Sequence, residues 1–292
     1  GGSGFLGRNL QKIMPDWVYM SSLDCDLTDY QQVEEYFKNE QPSAIVHLAG
    51  RVGGIKDNND YQADFYVQNT LINTNVLRAA HACNIQRVLS SLSTCAFPNE
   101  VNSYPFTEDS FYSGPPAITN FSYGMTKRML QVASVAYRKQ YGRDFSTFCP
   151  SNLYGPGDHF GKESSHFVAS LIHKVSVAEE GEEIELWGTG KPLRQQLYVE
   201  DLCKLIPVLL ETHNTELPLI IAPDENLSIK EMADSLNIEL GKKIIFKFNG
   251  NLDGQFRKDG DNLALRKLVP NVNFTKFANG VTETYRWYLE NK

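Results

Sequence analysis

Gly1, Gly4 and Gly7 stand three residues apart at the head of the sequence, in Gly1-Gly2-Ser3-Gly4-Phe5-Leu6-Gly7-Arg8-Asn9-Leu10. Glycines at this spacing permit a tight turn, close approach of backbone to a pyrophosphate, and a helix packed hard on a sheet. The run Phe5 to Ile13 continues as a helix. Its first turn offers N–H groups and a positive dipole end to phosphate. A dinucleotide is therefore expected across Gly1, Gly2, Ser3, Gly4, Phe5, Leu6 and Gly7. Such a loop normally follows a buried central strand, and the sequence opens on the loop itself. The expectation is a first strand missing from this sequence, which reads as an N-terminally truncated form of a longer chain.

Downstream, strand-like and helix-like segments alternate. Trp17–Met20, Ala44–Ala49, Arg87–Ser91 and Asp144–Cys149 read as strands. Tyr30–Asn39, Tyr66–Cys83 and Ser122–Tyr141 read as helices. The alternation predicts an α/β fold with a Rossmann-like, doubly wound parallel sheet. Ligands in such sheets bind beyond the carboxyl ends of the strands. Gly1, Ser21, Ala49, Ser93 and Pro150 all fall at such ends. Later strands are expected at Glu183–Trp187, Gln196–Val199 and Leu217–Ala222, with helices at Val199–Glu211 and Ser228–Leu240. Residues 1–155 form the expected dinucleotide-binding domain, with 196–222 returning to it. Residues 156–195 and 223–292 form a smaller α+β substrate lobe.

Tyr123 and Lys127 lie four apart in Ser122-Tyr123-Gly124-Met125-Thr126-Lys127, and so share one helix face. An ammonium beside a phenol favours the phenolate and is expected to lower the tyrosine pKa from about 10. Such a tyrosine can hand a proton to a carbonyl oxygen while a nicotinamide delivers hydride to its carbon. Ser93, at a strand end, supplies a second donor. Ser91 competes for that role but lies nearer the strand interior. The second strand ends in Ser21-Ser22, where NAD-binding proteins carry an acid for the ribose. Hydroxyls tolerate a 2′-phosphate, Arg8 can add charge, and NADPH is the expected cofactor.

A net charge of −7 gives no basic footprint for nucleic acid. No apolar run approaches the roughly 20 residues of a membrane span. The five cysteines are scattered without a C-x-x-C, which argues for a reduced, cytoplasmic setting and against a disulfide framework or a metal site.

Together the glycine loop, Ser93, Tyr123 and Lys127 resemble the extended short-chain dehydrogenase/reductase superfamily. Longer motifs are similar to its GDP-L-fucose synthase family. They are Val52-Gly53-Gly54-Ile55, Ser93-Thr94-Cys95-Ala96-Phe97-Pro98 and Asn152-Leu153-Tyr154-Gly155-Pro156-Gly157-Asp158-His159-Phe160. Trp187-Gly188-Thr189-Gly190-Lys191-Pro192-Leu193-Arg194-Gln195 and Asp253-Gly254-Gln255-Phe256-Arg257-Lys258 complete the set. Gly50, Gly157 and the Asp259-Gly260-Asp261 sequence depart from the family pattern.

The resemblance implies 3,5-epimerisation and NADPH-dependent 4-reduction of GDP-4-keto-6-deoxy-D-mannose. It assigns Cys95 and His166 to epimerisation, and Ser93, Tyr123 and Lys127 to reduction. Thiol and imidazole suit proton transfer near neutral pH. It assigns Lys174, Trp187, Arg194, Asp253 and Lys258 to the nucleotide sugar. Beyond the glycine loop, it assigns cofactor contacts to Ser21, Ser22, Asp26, Leu27, Leu48, Ala49, Lys127, Pro150, Ser151, Asn152, Leu153 and His166. It also implies a homodimer built on the helices near 66–83 and 122–141. Two alternatives stay open on the residues alone. One is another nucleotide-sugar epimerase or dehydratase that recycles its cofactor. The other is a non-catalytic dinucleotide-binding regulatory module.

Overall fold

The computed structural model describes residues 1–161, 165–251, 253 and 255–292. Ser164 and Gly254, which belong to two stretches of interest, lie outside the described residues. In chain order the elements are α1 (Phe5–Ile13), α2 (Tyr30–Glu40), β1 (Ala44–His47), α3 (Ile55–Asp60), α4 (Gln62–Ala82) and β2 (Arg87–Ser91). There follow α5 (Phe121–Tyr141), β3 (Asp144–Pro150), β4 (Asn152–Tyr154), α6 (Phe167–Val177), β5 (Glu183–Leu186), β6 (Leu193–Arg194), β7 (Gln196–Tyr198) and α7 (Val199–Thr212). The chain closes with β8 (Leu219–Ile221), β9 (Leu227–Ser228), α8 (Ile229–Leu240), β10 (Ile245–Phe248), β11 (Arg257–Lys258), α9 (Leu263–Leu268) and α10 (Phe277–Asn291).

Strands β1, β2, β3 and β8 form a parallel sheet in that order. Its strands are apolar on both faces, as a sheet covered by helices on each side requires. Val88, Phe145, Cys149 and Ile220 point to one face, where they meet Val33, Phe37, Val76, Leu77 and Leu130 of α2, α4 and α5. Leu89, Phe148, Leu219 and Ile221 point to the other and meet Leu10, Leu202, Ile206 and Leu209 of α1 and α7. The alternation has period two, so a one-residue slip would exchange the two cores. Fully burying one such side chain contributes roughly 1.5–3 kcal/mol. A third core joins Tyr154, Val168, Leu171, Ile172, Met232, Leu236, Phe277 and Val281, from α6, α8 and α10. It supports the paired strands β5/β10 and the small sheet β11-β6-β9.

Local chemistry sets the helix ends. The Asp29 carboxylate accepts the N–H groups of Gln31 and Gln32 and starts α2. Ser228 and Glu231 form a capping box at α8. Gly142, at φ +65°, ends α5 in the left-handed conformation. Arg87 caps the carboxyl end of α7 by donating to the carbonyls of Leu209, Leu210 and His213 at 2.7–2.9 Å.

Two local expectations shift. Trp17–Met20 is extended but joins no ladder among the described residues. Its link to the glycine loop is Gly2 N–H donating to Met20 O at 2.9 Å. A cavity of about 510 Å³ is lined by Trp17–Met20 together with Ile45 and Val46 of β1. The helix expected from Tyr66 begins at Gln62, because the polar turn ahead of Tyr66 winds into α4. Among the described residues no helix is long and apolar enough to cross a membrane.

Candidate active site

The glycine loop is shaped by lack of space. A Cβ on Gly1 would lie 2.7 Å from Ala49 N, and one on Gly2 would lie 2.6 Å from the Tyr19 carbonyl carbon. A Cβ on Gly7 would collide with the carbonyl oxygens of Gly1 and Gly2. Gly4 caps α1 without a side-chain acceptor. The first-turn N–H groups of α1 therefore face outward for an anion. Arg8 ties this loop to the one after β4, donating to Ser3 O at 2.5 Å and Gly157 O at 2.8 Å. The site fits a dinucleotide diphosphate. Ser21, expected at the cofactor ribose, has its N–H and hydroxyl both donating to Asp24 Oδ2, at 2.7 and 2.6 Å. Asp26 binds the N–H and hydroxyl of Thr28 at 2.9 and 2.8 Å.

Gly157 lies at φ +83°, which favours glycine, and explains one departure from the family pattern. Gly50 explains another: a Cβ there would stand 2.9 Å from Asn69 Oδ1. That oxygen accepts the Arg51 N–H at 2.9 Å.

Ser93, Cys95, Tyr123, Lys127, His166, Arg194 and Lys258 converge near the carboxyl ends of β2 and β3. Ser93 caps the short 3-10 turn Thr94–Ala96, its Oγ accepting Cys95 N–H at 3.2 Å. The same hydroxyl hydrogen-bonds Tyr123 and Cys95. Ser91, by contrast, turns its hydroxyl to Leu92 O. Its carbonyl accepts Lys127 Nζ at 2.9 Å.

The tyrosine does not behave as its lysine neighbour suggests. Burial pushes the Tyr123 phenol well up, and its hydrogen bond to Ser93 offsets only part of that. Lys127 Nζ lies 5.8 Å from the ring centroid, and burial lowers its own pKa to about 8. The expected lowering is therefore corrected: desolvation, with the nearby Cys95, raises the phenol pKa, and the phenol keeps its proton as an acid should.

The surroundings of Cys95 and His166 shift their pKa values in opposite directions. Burial raises the Cys95 thiol, but the charge and hydrogen bond of Lys258, with help from Ser93 and His166, carry it below its ordinary value. His166 caps α6 with its side chain 46% exposed. The Asp158 carboxylate, an acceptor and a negative charge beside the ring, raises the His166 pKa against the effect of burial. Asp158 was given no role by the sequence. Its side chain is 1% exposed, Oδ1 stands 3.7 Å from His166 Nδ1, and it accepts the His159 N–H at 2.7 Å. Only its membership of the Asn152–Phe160 stretch could have drawn attention to it.

The sugar-nucleotide candidates divide. Arg194 approaches the cysteine, and burial lowers its pKa. Trp187 is 80% exposed on the rim. Lys174 is exposed and donates to Glu185 O at 3.4 Å. Asp253 accepts Thr189 N–H at 2.8 Å and Thr189 Oγ1–H at 2.6 Å, and so shapes the turn that carries Trp187. Lys258 points at Cys95.

The sequence profile of the NAD dependent epimerase/dehydratase family matches residues 1–221. The GDP-L-fucose synthase of Dictyostelium discoideum is 36% identical, with 100% of this chain and 94% of that protein aligned. The GDP-L-fucose synthase of Escherichia coli is 31% identical over 92% of this chain and 87% of its own length. The crystal structure of a GDP-L-fucose synthetase from Naegleria fowleri bound to NADP superposes with a TM-score of 0.90 at 29% identity, covering 100% of this chain and 92% of that one. This chain therefore belongs to the NAD dependent epimerase/dehydratase family, and its full-length similarity is to that family's GDP-L-fucose synthases.

Proposed function

We propose that this chain is an NADPH-dependent enzyme that converts GDP-4-keto-6-deoxy-D-mannose to GDP-L-fucose. The observation that carries the reading is the placement of an acid/base pair, Cys95 and His166, beside the Ser93–Tyr123–Lys127 group. A recycling epimerase or dehydratase needs different groups near the tyrosine, so this pair argues against that alternative.

The 4-keto group acidifies the hydrogens on carbons 3 and 5. Cys95 as thiolate takes a proton from carbon, the C–H electron pair moves into the enolate, and the S–H bond forms. His166 as imidazolium returns a proton to the opposite face. Pairs whose environments push their pKa values apart divide acid from base in this way. NADPH, when bound, supplies the hydride that reduces carbon 4. Tyr123 donates its phenolic proton to the oxygen at carbon 4, Ser93 hydrogen-bonds that oxygen, and Lys127 holds the nicotinamide ribose. These donors act mainly on the developing alkoxide. Arg194 suits the diphosphate through bidentate bonding, with Trp187 packing at the rim.

The chain works as a homodimer in the cytoplasm. Val67 and Leu71 on α4, and Met129 and Val132 on α5, are exposed apolar side chains at helical spacing on two helices packed together. All five cysteines are free. The test is incubation with GDP-4-keto-6-deoxy-D-mannose and NADPH, with product configuration read by NMR. A product unchanged at carbons 3 and 5 would refute the reading.

A further inference from the structure

We propose that Lys258 is the residue that holds Cys95 as a thiolate, and that it acts on the cysteine and not primarily on the sugar nucleotide. The proposal rests on the reading of Cys95 as the epimerisation base. Lys258 Nζ lies 3.0 Å from Cys95 Sγ, hydrogen-bond distance for an ammonium and a sulfur. Among the described residues no carboxylate forms a salt bridge with this lysine. The neighbouring Asp259 is engaged by Arg257 through two bonds of 2.8 and 2.5 Å. The thiolate is therefore the anion that Lys258 has to balance.

The pairing is built and not incidental. Lys258 lies on β11, in parallel register with Arg194 of β6. Beyond it, Phe106 N–H donates to Asp259 O at 2.9 Å and Asp261 N–H donates to Phe106 O at 2.8 Å. Before it, Gln255 Nε2 donates to Asn99 O at 2.8 Å. Three tethers thus dock the segment carrying Lys258 onto the loop carrying Cys95. The other charged or titratable groups facing the sulfur are Arg194 from β6, His166 at the start of α6, Tyr123 from α5 and Cys149 from β3. Of the cations among the described residues, Lys258 is the one in hydrogen-bond contact with it. A free thiol near its ordinary pKa is only a few per cent ionised at neutral pH, and the thiolate is the reactive species. An adjacent ammonium supplies that ionisation before substrate arrives. Its proton stays on nitrogen while sulfur takes the proton from carbon.

The test is alkylation of Cys95 by iodoacetamide across pH 5–10, without substrate or cofactor, in the wild type, Lys258→Met and Lys258→Arg. Peptide mass spectrometry reads each cysteine separately. Cys83, the other partly exposed thiol, is the internal reference for intact folding. The expected result is a Cys95 midpoint below the usual value of about 8.5 in the wild type. In Lys258→Met it should rise by about one unit, with roughly tenfold slower alkylation at pH 7. Lys258→Arg should restore most of the shift, and Cys83 should not change. An unchanged Cys95 midpoint in Lys258→Met overturns the proposal, whatever happens to turnover. The function reading is tested separately, by deuterium exchange into the substrate. A shifted midpoint with normal exchange in Lys258→Met would uphold the ion pair and count against Cys95 as the base.

Discussion

The ammonium of Lys258 stands 3.0 Å from the sulfur of Cys95, 163 residues away along the chain. A second pair, Asp158 and His166 at 3.7 Å, sits close enough for Cys95 and His166 to sense each other's charge. One pair favours the anion of Cys95 and the other the cation of His166.

The pH dependence of epimerisation follows with a definite sign. The Cys95 pKa is lowered from its ordinary value, so its thiolate survives to lower pH than a free thiol's and is lost as pH falls through that lowered value. The His166 pKa is raised, so its acid form persists upward and is lost as pH rises through that raised value. Exchange of the carbon 3 and 5 hydrogens with deuterated water should therefore be bell-shaped in pH. Asp158→Asn should move the alkaline limb down by about one unit, a roughly tenfold loss at the alkaline edge. An alkaline limb that stays in place would show that Asp158 does not govern His166.

Tyr123→Phe removes the buried phenolic proton donor and leaves the ring in its edge contact with Phe65. Turnover of NADPH should fall by roughly 10²–10³, the usual cost of losing one transition-state donor. Binding of NADP⁺, followed by calorimetry, should change little. Wild-type turnover in this variant would remove Tyr123 from the chemistry.

Cys95→Ser keeps the size of the side chain but removes the accessible thiolate, and His166→Gln removes the acid. Each should slow deuterium incorporation by about 10²–10⁴. Both should still slowly reduce the unepimerised ketone to a 6-deoxy sugar of different configuration. Normal epimerisation in both would return the two residues to structural roles.

Gly7→Ala places a methyl group against the carbonyls of Gly1 and Gly2. Backbone must move, so the variant should lose about 1–3 kcal/mol of stability. It should also bind NADP⁺ at least tenfold more weakly, because the phosphate cradle opens. Thermal unfolding and calorimetry measure the two effects. Unaltered affinity would place the diphosphate elsewhere.

Val132→Glu on α5 and Leu71→Glu on α4 put charges on exposed apolar faces. Sedimentation velocity at micromolar concentration should show a dimer for the wild type and a monomer for the double variant. A wild-type monomer would rule out the proposed interface.

The parallel sheet and the glycine loop were legible because their signals are local. The glycine spacing at 1, 4 and 7 answers to steric contacts within one turn, and Tyr-x-x-x-Lys answers to helical periodicity. Period-two burial of β2 and β3 is likewise present in the order of their residues. The electrostatics of the site were not legible. Phenol and ammonium share a helix face in sequence, yet burial decides the protonation of Tyr123, and burial belongs to the packed fold. Asp158 and Lys258 acquire their roles only when the loop after β4 and strand β11 close around the turn carrying Cys95. Sequence spacing reports neighbours within an element, whereas a charge acts through space. The opposite pKa shifts of Cys95 and His166 were therefore decided by the tertiary structure alone.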